Sequence, residues 1–166
     1  MTTREFFLQT ITAEQPIFDR VLKAINKDQW AYRPDPVTKC GKEIATLIAT
    51  EPGMIARIVR GEVLDFGATP PADPDLTLDQ MISTLNAGFE DTKKAVMAAT
   101  DQQWDESDAI LKGGGGEWKE KMGKMAWGFL FDLIHHRGQL SVYLRSMGGK
   151  VPSIYGPSGD SAPGMN

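Results

Sequence analysis

The chain has 166 residues, 41% of them hydrophobic and 24% charged, with a formal net charge of −4. That balance suits a globular domain with a sizeable core. Its lysines and arginines are scattered rather than clustered, which argues against a nucleic-acid partner.

Cys40 is the single cysteine, so no internal disulfide forms. The opening residues MTTREFFLQT lack the basic and then apolar pattern of a secretory signal, and a cytoplasmic protein is expected. The most apolar run, MAWGFLFDLI, is about half the length a bilayer span needs and contains Asp132, so no membrane helix is expected.

In chain order, Thr2 and Glu5 form a capping box that opens a first helix, about residues 3 to 25, with Phe7, Ile11, Phe18, Val21, Leu22 and Ile25 at helical spacing. Pro16 is expected to bend it. The stretch NKDQWAYRPDPVTKCG, without periodicity, reads as a long loop with Trp30 and Tyr32 packed beneath it. A second helix, about 42 to 60, carries Ile44, Leu47, Ile48, Met54, Ile55 and Ile58, is kinked at Pro52 and stops at Gly61. After the Pro-rich connection DFGATPPADPD, Thr77 and Gln80 cap a third helix, about 77 to 99. DQQWDESDAILKGGGGE reads as a mobile connection, because four consecutive glycines have much backbone entropy to lose. A fourth helix, about 117 to 147, ends at Gly148 and Gly149. The expected fold is therefore all-α, a four-helix bundle with long crossover connections: one domain over residues 1–150, then an irregular tail over 151–166 whose end is disordered.

The fourth helix is apolar on more than one side. Met122, Ala126, Phe129, Leu133, His136, Leu140, Leu144 and Met147 make one stripe, while Trp127, Phe131, Ile134 and Val142 point elsewhere. Such a helix needs cover on a second face, most simply in a homodimer centred on it. The alternative is that the long loops cover that face.

Two apolar faces also carry polar groups. Asp132 and His136, four residues apart, stand on neighbouring turns. In the second helix the apolar stripe centres on position 51, which holds a glutamate. Buried without a partner, Glu51 is costly or takes up a proton. Two readings remain open: a structural network of one histidine with one or two carboxylates, or a divalent ion held by Glu51, Asp132 and His136. His135 falls at the periphery or at the dimer surface. Tyr143 looks inward, whereas helical phase turns Arg137 and Gln139 away from the stripe. No serine or cysteine has the surroundings of a nucleophile.

The segment HHRGQLSVYLRSMGGKVPSIYGP resembles the C-terminal signature of the DinB-like (DinB/YfiT-like) superfamily. WAYRPDP and EIATLIATEP are similar to the same family, in the same order. The resemblance implies a four-helix bundle, often dimeric, that commonly binds zinc or nickel through three histidines. It also implies, for some members, transferase or isomerase activity with low-molecular-weight thiols.

Carried over onto this chain, the third histidine is His136, the second falls on Asp132, and the first falls on Leu47, which cannot ligate a metal. The expectation is a degenerate metal site in a protein of unknown substrate, with Leu47, Tyr143 and His135 around a pocket for a small molecule, and not a standard zinc enzyme. The alternative is a metal-dependent transferase or hydrolase with a rearranged Glu51/Asp132/His136 site for Zn, Ni or Mn. The cofactor is accordingly a divalent metal or none.

Overall fold

Side chains three residues apart set where the helices begin. Thr2 with Glu5, Thr77 with Gln80 and Thr100 with Gln103 each close a capping box, in which the threonine hydroxyl accepts the third backbone N–H and the acidic or amide side chain accepts the cap's own N–H. The computed structural model describes residues 1–68, 73 and 75–161. In order it contains α1 (Thr3–Lys23), a short 3-10 turn (Lys27–Gln29), α2 (Gly41–Val59), β1 (Leu64–Asp65), α3 (Leu78–Ala98), α4 (Asp101–Glu106), β2 (Asp108–Gly113), β3 (Gly116–Lys121) and α5 (Met122–Ser146). Part of the Pro-rich connection, residues 69–72 and 74, and the end of the tail, 162–166, lie outside the described residues.

The four long helices pack pairwise, α2 against α3 and α5, and α1 against the same two. Their facing sides form the core, with Phe7, Phe18, Ile48, Ile55, Phe89 and Leu140 fully buried. Neither Pro16 nor Pro52 interrupts its helix. Pro52 is where α2 packs most closely on α3. The Pro52 carbonyl accepts a 2.5 Å hydrogen bond from the Thr92 hydroxyl, and Gly88 lies so close that a Cβ there would stand 2.8 Å from the Gly53 nitrogen and 3.1 Å from the Pro52 Cβ. A glycine and a small hydroxyl let the two helices meet backbone to backbone.

The fold is mostly helical but not all-α. The supposed mobile connection contains α4 and a hairpin, and the fourth helix starts at Met122 rather than near 117, because residues 116–121 are paired in a strand. Gly113 faces Gly116 across a two-residue turn in which Gly114 and Gly115 have φ of +59° and +81°. A turn with two consecutive positive φ angles matches the twist of the flanking strands and is open to glycine. The glycines that argued against regular structure therefore make it. β1 adds to β2 in parallel, with Leu64 beside Leu111, so the sheet order is β1-β2-β3.

Arg137 also departs from the expected outward position. It is 1% exposed and ion-paired with Glu14 of α1, and it donates to the Tyr155 hydroxyl at 2.5 Å, which in turn donates to Glu14 at 2.8 Å. Its guanidinium also lies 4.6 Å from the centre of the Phe18 ring. This cluster ties the tail to α1 and α5 and fixes the rotation of α5.

The loops among the described residues do not cover the outer face of α5. Phe131 and Val142 are 61% and 76% exposed. Phe131 continues a row of rings from Phe6 through Trp127, each step 5.6 Å between centroids.

Gly88→Ala is expected to force α3 away from Pro52 and to cost about 1–3 kcal/mol, a drop of several degrees in melting temperature by calorimetry. Gly53→Ala, inside α2 where a Cβ meets nothing within 4 Å, should hold it or raise it by a few degrees.

Candidate metal centre

Helical phase turns Glu51 inward. Ile44, Ile48, Ile55 and Ile58 are all fully buried on the same side of α2, and position 51 falls among them. Across from it α5 presents Asp132 and His136 one turn apart. One ligand atom from each of the three lies within 4.8 Å of the others.

The three differ in exposure, from Glu51 at 6% through the His136 side chain at 15% to the Asp132 side chain at 54%, so the group runs from the interior to the surface. The His136 Nε2 is 3.4 Å from Asp132 Oδ2. Its Nδ1 is 3.3 Å from Gln139 Oε1. With an Nδ1 proton donated to Gln139, the Nε2 lone pair faces the carboxylates, the tautomer a metal-ligating imidazole needs.

Glu51 is the electrostatic problem of the site. Its Oε2 is buried and makes no hydrogen bond. Burial, then the neighbouring Asp132 carboxylate, push its pKa up to about 9. Without a cation the group therefore holds a proton at neutral pH. A divalent ion fits this donor set: it supplies a partner for the orphaned oxygen, offsets two adjacent carboxylates and accepts imidazole nitrogen.

Glu51 and Asp132 also line a cleft of about 380 Å³, whose other walls are Leu47, Met54, Phe66, Leu111, Trp118, Gly128 and Phe129. The hairpin builds one wall, since Leu111 and Trp118 sit directly opposite each other on β2 and β3 and show the same face. Gly128, one turn before Asp132, leaves room where a side chain would stand.

Of the residues singled out by sequence, Glu51, Asp132 and His136 come together, and Leu47 lies on the cleft wall. Tyr143 is buried edge-on against Tyr32, 5.6 Å between ring centres, and is not among the residues lining the cleft. His135 is exposed, on the side of α5 that carries Phe131 and Val142. Leu111 and Trp118 were missed because the hairpin was missed, and Phe66 because the strand before it, which joins that hairpin, was missed too. A Gly-Gly pair between AILK and EWKE was the available signal. Gln139 was set aside by its helical phase, although a residue three positions on can reach the histidine ring.

A model of the DinB family matches residues 1–163. The chain belongs to the DinB family. Among solved structures, this DinB-family chain is similar in fold to a DinB-like protein from Bacillus subtilis, YjoA, with a TM-score of 0.68 and 19% identity over 91% of this chain and 99% of that one. No curated protein matches it.

The raised pKa of Glu51 has a sign that can be tested in metal-free protein. The folded state keeps a proton that the unfolded state gives up near 4.5, so stability falls as pH rises between 4.5 and about 9. Below that window both states are protonated and the penalty vanishes. At pH 7 the penalty is on the order of 3 kcal/mol. Glu51→Gln in chelator should melt several degrees above the parent at pH 7 and near it at pH 4. Equal melting temperatures at both pH values would mean that Glu51 is not held protonated.

Proposed function

We propose that this protein binds one divalent cation through Glu51, Asp132 and His136, and that the ion serves a small molecule entering by the adjoining cleft. The observation that carries the reading is the buried, unpartnered Glu51 Oε2 within 4.8 Å of ligand atoms of Asp132 and His136. It favours the rearranged site over the merely degenerate one.

Two carboxylates and one imidazole form a harder donor set than three histidines, suited to manganese as well as zinc or nickel. Held there, a divalent ion supplies Lewis acidity to a substrate atom arriving from the cleft. The chain's own residues hold and orient: Gln139 sets the His136 tautomer, Arg137 and Glu14 fix the rotation of α5, and Leu47 with Phe129 excludes water beside Glu51. The four long helices serve as a four-helix bundle of the DinB kind, with the hairpin as one wall of the site.

Adding Mn(II) or Zn(II) to chelator-treated protein is expected to raise the melting temperature, an effect lost in His136→Ala and Asp132→Ala. Binding must expel the Glu51 proton, so affinity should increase with pH up to about 9. No response to any divalent ion leaves Glu51 as a neutral acid beside His136 in a metal-free pocket, and refutes the reading.

The exposed Phe131 and Val142 face of α5 is proposed as the homodimer surface. Its bare apolar area, continued by Phe6 and Trp127, supports this. The parent should sediment as a dimer at micromolar concentration and Phe131→Glu as a monomer. A monomeric parent contradicts it.

A further inference from the structure

Resting on the metal reading for the orientation of its ligand, we propose that the cleft selects an uncharged, apolar molecule, an aryl or long alkyl body with one donor atom at its inner end.

The walls carry the argument. Of the nine lining residues, Leu47, Met54, Phe66, Leu111, Trp118 and Phe129 are apolar or aromatic, Gly128 has no side chain, and the only ionisable groups are the acids Glu51 and Asp132 at the floor. Among the described residues no lysine or arginine lines the cleft. The nearby cations of the hairpin are engaged elsewhere: Lys112 pairs with Glu117 at 3.8 Å, while Lys119 and Lys121 pair with Asp108 at 2.8 and 2.9 Å. An anionic body finds no cationic side chain to pair with among the lining residues.

A cationic body is excluded by the same count, because a divalent ion balances Glu51 and Asp132 and leaves no net charge to attract it. What remains favourable is apolar contact. At about 380 Å³ the space is roughly two and a half times that of a cavity that accepts benzene. It takes a ring with a short chain, and its apolar walls offer a polar conjugate few partners.

Phe66 and Trp118 explain the entrance. They are 46% and 53% exposed, large aromatic surfaces left in water at the rim of an apolar space. β3 is the edge strand, so Trp118 is free of a neighbouring strand on its outer side. A ring entering the cleft covers both.

The test uses two probes of one shape, 4-phenylbutan-1-ol and 4-(4-hydroxybutyl)benzoate, the second with a carboxylate at the outer end. Binding to the full chain is followed by calorimetry, with and without chelator. The neutral probe is expected to bind at least about tenfold more tightly, with a negative heat-capacity change. Trp118→Ala should weaken it several-fold and Trp118→Phe restore most of the loss. Trp118→Lys, a substitution an edge strand tolerates, should turn the preference toward the benzoate.

Equal affinity for both probes, tighter benzoate binding by the parent, or indifference to Trp118→Ala would overturn the proposal. The two readings fail separately. Selective neutral binding that persists where no ion binds sustains the cleft and refutes the metal. An ion bound at Glu51 without probe selectivity sustains the metal and refutes the cleft.

Discussion

A carboxyl group only 6% exposed sits where α2 meets α5, and much of the structure near it reads as a response. Glu51 cannot turn outward, because the isoleucines on either side of it fix which face of α2 is buried. Nor can α2 withdraw, because Thr92 and Gly88 hold it at Pro52, the next residue. The group must be protonated or must share a cation. Asp132 makes the proton costlier to lose and the cation more welcome, and His136 adds the nitrogen that such an ion takes.

Neighbouring positions in the HRGQ stretch divide the labour. His136 turns toward α2 and Gln139 touches its ring, while Arg137 turns the other way to Glu14 and Tyr155. A buried ion pair of this kind adds little net stability, since both charges give up water, but it fixes which residues of α5 face α1. Rotation of the helix by one residue would put His136 or Gly138 in the place of Arg137. The clamp thereby keeps the donor atoms aimed at Glu51, although no atom of it belongs to the site.

The four long helices and the inward grouping of Glu51, Asp132 and His136 were legible in the sequence because both depend on short-range periodicity. Spacing of three and four placed Glu51 among isoleucines and set Asp132 beside His136. Capping pairs marked where the first and third helices begin. The hairpin was not legible by the same logic. Its four glycines looked like lost entropy, and only the pairing of Leu111 with Trp118 across Gly114 and Gly115 turns them into a turn. With the hairpin went the outer wall of the cleft. Arg137 was misplaced because its partners lie 123 residues earlier and 18 later, beyond what periodicity can see. Tyr143 did point inward, but to Tyr32, since the inner face of a long helix meets different neighbours along its length.

The central claim is that Glu51, Asp132 and His136 share one ion, and the most direct measurement is an anomalous difference map from a crystal soaked in Mn(II). The account predicts a single strong peak between the three side chains, about 2.0–2.3 Å from Glu51 Oε2 and His136 Nε2. It also predicts loss of the peak in Glu51→Gln. No peak there in crystals grown above pH 7, or a peak at surface carboxylates alone, would contradict it and leave Glu51 a buried neutral acid.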